Sequence, residues 1–390
     1  MRELHDLGFI PLIVLIHLAF WWKFYRNPWL LCTSETASNF FPYWRWFGKN
    51  LRKGTFKLTD NVYYGSGASI PFLSTFYPPN LLSSFIGAFL SDSGAFRLYV
   101  YQQLLHSLLT CLGAYWMLSF YTSPVICMFG ALSLTYNAYM IRPQTPCFMF
   151  TAAWIPIFLV KGWVGMVAFG MAVLGGYWPI LLTGLPIVLY NPSCLWGIAY
   201  ASPQVIPFLR YFPTSIRAKK RADSHWGRMP LKRFFFALRW PENGMIHYPE
   251  YSFGVGICLP LALYHFFFQH FGGWALFAIY GFIGSQGWFV LDRIPARFVY
   301  LVSFSLVMGG IFALHSLQTN DLMLPLMILQ GFLLWKNRDI YPSFPFSQWW
   351  RKITEHEFVG TEWPNNTGYM NGVGHQTYYG GFSLAENYHE

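Results

Sequence analysis

Charge is what this sequence has least of. Asp, Glu, Lys and Arg together make up 11% of it, against about 25% in soluble chains. A soluble protein of 390 residues needs more charge than that to cover its surface. Acids are scarcest, 16 against 26 Lys and Arg. Cysteine is sparse too. Cys32, Cys111, Cys127, Cys147, Cys194 and Cys258 show no CxxC or metal-type spacing, which excludes a disulfide-rich secreted module. Most sit in apolar segments, where a small buried hydrophobe is the ordinary role. Neither a Walker pattern nor a Gly-rich phosphate loop after a strand occurs, so nucleotide-driven chemistry is not evident. No set of His and carboxylates has metal-ligand spacing.

What the chain has instead is apolar length. Hydrophobic residues reach 54% and aromatics 21%, with a mean hydropathy of +0.33. Apolar runs recur from the start to about Trp335. This predicts an all-α integral membrane protein and excludes a disordered chain or a coiled coil. The formal charge of +10 beside a bilayer points to anionic head groups or phosphates. A chain this apolar argues against nucleic acid.

The first apolar run, Leu7 to Trp22, lacks a basic n-region and a small-residue cleavage site, so it reads as a retained span. Later spans are expected at 98–121, 123–141, 145–161, 164–190, 252–271, 274–291, 298–315 and 321–336. Gly175, Gly176 and Pro179 interrupt the run 164–190, so it is one kinked helix or two short ones. The count is about nine, with eight or ten as alternatives. Residues 1–336 form the transmembrane domain, with long polar loops at 24–97 and 191–251. Residues 337–390 form a soluble tail rich in Gly, Asn and Tyr. In the first loop, Phe40, Phe41, Trp44, Phe47 and Leu51 alternate at helical spacing with Arg45, Lys49 and Arg52. That pattern predicts a helix lying in the membrane interface over 38–53. A shorter one is expected at 80–90. Both long loops and the tail fall on one side by parity. The positive-inside rule would make that side cytoplasmic, but loops near or above about 60 residues escape it.

Two carboxylates stand out in the first loop, Glu35 and Asp60. Asp60 leads into the Gly-rich turn Asn61-Val-Tyr-Tyr-Gly-Ser-Gly67. Around them in sequence lie Arg45, Lys49, Arg52, Lys53 and Lys57. Acids able to take a proton, among bases able to hold phosphate, suit group transfer from a phosphate leaving group. The plainer reading makes Glu35 a helix-start acid and Asp60 a turn residue. Tyr63, Tyr64, Phe76 and Tyr77 could stack on sugar rings, although most aromatics here belong to belts or packing. His106 and His315 read as satisfied buried imidazoles. His247, beside Tyr248 and Glu250, is a candidate for a cleft rim. The stretch Arg210 to Arg239 holds nine bases and one acid, Asp223, and reads as a solvated, lipid-facing surface. Asn365-Asn-Thr367 is a glycosylation sequon, relevant only in a eukaryotic secretory route.

The same loop carries an ordered set of motifs: Glu35-Thr-Ala-Ser-Asn-Phe-Phe-Pro42, Leu51-Arg-Lys-Gly54, Thr59-Asp-Asn61, Gly65, Ile70-Pro-Phe72 and Phe76-Tyr-Pro-Pro-Asn-Leu-Leu82. This set resembles the first external loop of the YfhO-like proteins of the GT-C superfamily of polytopic glycosyltransferases. Later stretches are similar to that family as well: Trp154-Ile-Pro156, Ala201-Ser-Pro-Gln-Val-Ile-Pro207, Ser215-Ile-Arg217, Glu250-Tyr251 with Gly254 and Gly256, and Arg293-Ile-Pro-Ala-Arg-Phe298. The likeness covers about residues 1–310. Typical relatives are longer, and the resemblance does not place the tail.

The resemblance implies a GT-C-like fold and a membrane glycosyltransferase. Such an enzyme moves a sugar from a polyprenyl-phosphate carrier to a hydroxyl of a glycan or protein acceptor on the external face. Glu35 falls where the family's catalytic acid, usually Asp, would act as general base. Asp60 is the second acid. Arg217, in the Ser-x-Arg stretch, Arg142 and Arg52 are the candidates for the donor phosphate, because a guanidinium meets phosphate oxygens in a bidentate way. Tyr63, Tyr64, Tyr77 and His247 are candidates for sugar or cleft contact. No cofactor is evident, and a divalent metal stays open because relatives of both kinds exist. The implied location is a bacterial inner (cytoplasmic) membrane with the long loops outside. Two other readings stay open. One is an inactive GT-C-like scaffold subunit, with partner subunits on the tail. The other is a transporter or flippase, which the near absence of intramembrane acids disfavours.

Overall fold

The computed structural model describes residues 8–31, 41–55, 74, 76–137, 140, 146–211, 231, 254–286, 298–317 and 322–335. Those residues form thirteen α-helices joined by short 3₁₀ and π turns, and no strand occurs among them. The helices are α1 Ile10–Arg26, α2 Phe41–Lys53, α3 Pro78–Gly87, α4 Asp92–Ser119, α5 Pro124–Tyr136, α6 Pro146–Ala152, α7 Trp163–Leu174, α8 Trp178–Gly184, α9 Ser202–Tyr211, α10 Cys258–Tyr264, α11 Gly273–Ser285, α12 Val299–Leu317 and α13 Met323–Trp335.

Local chemistry sets most of the boundaries. Proline stands in the first turn of α1, α3 and α5, where its missing N–H costs nothing and its fixed φ suits the helix. Ser91 caps α4 by accepting from the Gly94 N–H at 3.2 Å, and Asp92 puts a negative charge at the positive end of the dipole. α2 ends at Gly54, whose φ of 66° is a left-handed value that favours glycine. The run 164–190 divides as its glycines foretell. α7 stops at Leu174, Gly176 takes a φ of 77°, and the chain resumes as α8 and a 3₁₀ segment, Leu185–Tyr190.

α12 is the central element. It packs against α10, α11 and α5, while α5 also meets α4 and α13. Close approach depends on missing side chains. A Cβ at Gly310 would touch the backbone of Cys258 on α10, and one at Gly281 the backbone of α12 near Phe298. Gln330 of α13 ties three elements together. Its amide N–H₂ donates to Ser133 Oγ at 2.9 Å and to the Val255 carbonyl at 3.0 Å, and its Oε1 accepts from the Ile257 N–H at 2.9 Å.

Among the described residues one helix, α12, is long and apolar enough to cross a membrane on length and composition, and 83% of its most apolar window is buried inside the protein. Several of the other expected spans are occupied by shorter apolar helices, including Pro124–Tyr136, Trp163–Leu174, Gly273–Ser285 and Met323–Trp335. α5 ends at Asn137 and α7 at Gly175, each inside its hydropathy run. The outward faces are apolar. Leu12, Leu15, Leu18 and Trp22 form an exposed ridge on α1; Leu105, Leu109, Trp116 and Phe120 run along and just past α4; Leu324, Ile328, Leu329 and Phe332 do the same on α13.

Candidate functional site

The informative region is the corner where α2, α3 and the start of α4 meet. α2 turns Phe41, Trp44 and Phe47 inward, each at most 3% exposed. Phe41 makes an edge contact with Phe96 at 5.0 Å and Trp44 one with Tyr99 at 5.6 Å between ring centroids. Two glycines let α2 and α3 touch. A Cβ at Gly48 would collide with the Ser84 carbonyl, and one at Gly87 with the Trp44 indole.

Arg45 holds this corner. It is 5% exposed. Its guanidinium donates to Asp92 Oδ1 at 2.9 Å, to the Leu90 carbonyl at 2.7 Å and to the Gly87 carbonyl. It thereby caps the end of α3 and neutralises the acid at the start of α4. Its donors are committed to the protein, so of the bases grouped around the first-loop acids in sequence, Arg45 is structural.

Three cations crowd the end of α2. Burial first, then the charge of Arg45 and further that of Lys53, hold the Lys49 ammonium below its ordinary range, with Asp92 acting against them. Arg52 is exposed; its guanidinium carbon lies 4.4 Å from the Phe89 ring centroid, and one nitrogen donates to the Ala88 carbonyl at 3.3 Å.

Beneath the corner lies a buried polar relay. The Gln102 carbonyl can only accept, so the hydrogen bond of 2.7 Å to His106 Nδ1 puts the proton there. In the neutral ring Nε2 then accepts from the Tyr77 hydroxyl at 2.7 Å, and the Tyr77 oxygen accepts from Trp154 Nε1 at 2.9 Å. Tyr77 is fully buried and stacks on Phe150. Burial pushes its phenol above the ordinary range, offset in part by the Trp154 donor. Its ring face is therefore closed to a sugar in this conformation. Its role as a sugar platform gives way to one that joins the end of the first loop to α4 and to the turn after α6.

Arg52 and Tyr77 are the two sequence-predicted site residues within the described set, and they stand on opposite sides of this corner, one outward and one inward. Glu35, Asp60, Tyr63, Tyr64, Arg142, Arg217 and His247 lie outside the described residues. The Arg45–Asp92 pair escaped sequence reasoning. The Ser91-Asp92 cap pair just ahead of the apolar run was the available signal.

A crevice deeper in the bundle is lined by Thr110, Asn137, Met140, Pro156, Tyr300 and Ser303 among others, with about 240 Å³ of empty space including its mouth. Among the described residues no group of three or more His, Cys, Asp or Glu is placed to hold a metal. No protein-family profile, curated protein or solved structure matches the chain.

Proposed function

We propose that the chain lies in a membrane through most of its helices and works there as a glycosyltransferase of the GT-C kind. The observation that carries the membrane part is the set of exposed apolar ridges on α1, α4 and α13. Water-soluble monomers rarely expose contiguous apolar patches beyond a few hundred Å², whereas acyl chains solvate such ridges without cost. Helices shorter than about 20 residues reach across as broken spans, their free backbone ends sheltered inside the bundle.

The enzymatic part rests on the ordered first-loop motifs. In this reading Glu35 takes the proton from the acceptor hydroxyl, and Asp60 orients the acceptor or a metal. The sugar leaves a polyprenyl phosphate whose growing negative charge is met by Arg217 and Arg142. The helices α2 and α3 support this reading, since the spacing of the first loop expects interfacial helices there, and the Tyr77–His106–Trp154 relay ties the loop's end to the bundle. The loops would face outward, against the direction that a bare count of bases favours. The alternative is a scaffold that keeps the fold without catalysis.

Glu35→Gln separates the two. Full-length protein in liposomes, supplied with polyprenyl-phosphate sugar, should lose transfer by about 100-fold or more with folding and expression unchanged. Transfer equal to that of the unmodified protein would remove Glu35 as the base. A complementing scaffold function untouched by the change would favour the architectural reading.

A further inference from the structure

α3 is built inside out. The residues it buries are Asn80, Ser83, Ser84 and Gly87. Asn80 donates to the Ser74 carbonyl at 2.8 Å, and Ser83 Oγ donates to Gln102 Oε1 at 2.6 Å. Among the residues that α3 and the turn after it expose are Leu82 at 63%, Phe85 at 40%, Ile86 at 44% and Phe89 at 58%. These fall at i, i+3, i+4 and i+7, one helical stripe. In water that stripe would face the wrong way. Beside it, on α2, stand Lys49, Arg52 and Lys53, with Arg52 resting on Phe89 itself. Cations at a helix C-terminus do favour the dipole, but that accounts for neither the outward stripe nor the crowding of charge at Lys49. Arg45 contributes a fourth cation to the same corner, and the acid paired with it there is Asp92.

We propose that this corner is a binding site for an anionic phospholipid of the surrounding leaflet. Its phosphate sits among Arg52, Lys49 and Lys53, and its acyl chains lie along Leu82, Phe85, Ile86 and Phe89. The surface matches that occupant in both halves, a cationic rim for the head group and an apolar stripe for the chains. Arg52 joins the halves, its planar face on Phe89 and its N–H edge toward phosphate oxygens. The lipid would brace the two interfacial helices against the bundle from outside, as Arg45 does from within. The assignment does not depend on glycosyl transfer, and it gives Arg52 a leaflet lipid in place of the donor.

The test uses the full chain, delipidated in mild detergent and titrated with phosphatidylglycerol or phosphatidylcholine under native mass spectrometry. The unmodified protein should retain phosphatidylglycerol at least tenfold more than phosphatidylcholine at low ionic strength. Each cation near an anionic group contributes about a fivefold factor. Arg52→Gln should therefore cut retention about fivefold, and Lys49→Gln, Arg52→Gln and Lys53→Gln together should abolish the preference. Lys23→Gln with Arg26→Gln, at the end of α1, should leave it unchanged. Phe89→Ala keeps all three charges and should also weaken retention, which guards against misfolding of the triple variant. Equal retention of the two lipids would overturn the proposal, as would a preference that survives the triple change. Displacement by equimolar polyprenyl phosphate would overturn it too, returning the corner to the donor. So would displacement by inorganic phosphate, which would mean that the apolar stripe adds nothing.

Discussion

Replacing Arg45 with Met should unhinge the α2–α3–α4 corner while keeping its volume. The side chain makes three charge-assisted contacts, to Asp92 and to the Gly87 and Leu90 carbonyls. Removing it takes the side-chain donor from the Leu90 carbonyl, a loss worth about 1–3 kcal/mol when buried, while the Gly87 carbonyl keeps the Leu90 N–H at 3.0 Å. Met recovers some of the loss through its own packing. The Asp92 pair adds little, because the Asp92 side chain is 40% exposed and water screens it. The sum is a loss of about 2 kcal/mol, which for a chain of this size corresponds to a fall of about 2–3 °C in Tm. Thermal unfolding followed by size-exclusion fluorescence in detergent measures it. Asp92→Asn should cost about 1 kcal/mol or less. Arg45→Lys should fall close to Arg45→Met, since one ammonium cannot reach all three acceptors. An Arg45→Met protein as stable as the original, or an Asp92→Asn protein as damaged, would refute this division between carbonyls and carboxylate.

Other outcomes follow from single contacts. Gly48→Ala should destabilise by about 2 kcal/mol, because its Cβ meets the Ser84 backbone and α2 must lift off α3; protease cleavage near α2 would rise with it. Tyr77→Phe leaves His106 Nε2 and Trp154 Nε1 without their shared partner, costing about 2 kcal/mol, and Trp154→Phe in the same chain should recover part of that loss in a double-mutant cycle. Gln330→Leu removes three hydrogen bonds across α5, α13 and the segment entering α10. Its cost of about 3 kcal/mol should show as faster amide exchange around Gly256.

Local patterns gave up local structure. The aromatic and basic spacing of α2, the short helix near residues 80–90 and the break at Gly175–Gly176 were each written in a few neighbouring residues, and the structure has them. The start of α4 was not found at 98 because hydropathy marks where a helix becomes apolar; the helix itself begins at Asp92, just after the Ser91 cap and six residues earlier. Burial of Tyr77 was hidden for a different reason. Its partners His106 and Trp154 are 29 and 77 residues away, and no local period encodes such a meeting. Arg45 looked like one base among several on an interfacial helix. Only the turn that returns α3 onto α2 shows it to be a clamp. Lengths misled where Asn137 ends α5 and Gly175 ends α7 inside an apolar run, so a long stretch of even hydropathy holds a helix shorter than itself.

On the proposed membrane placement, lipid and not water covers the outward ridges. Nitroxide labels at Leu15, Leu105, Phe89 and Ile328, introduced one at a time into the full chain in liposomes, test this through power saturation with oxygen and with a water-soluble nickel chelate. Labels at Leu15, Leu105 and Ile328 should be relaxed by oxygen and shielded from nickel, with Phe89 intermediate, as suits a residue at the head-group boundary. Nickel access at all four positions equal to that of a label at Thr55, which is exposed beyond the end of α2, would contradict it.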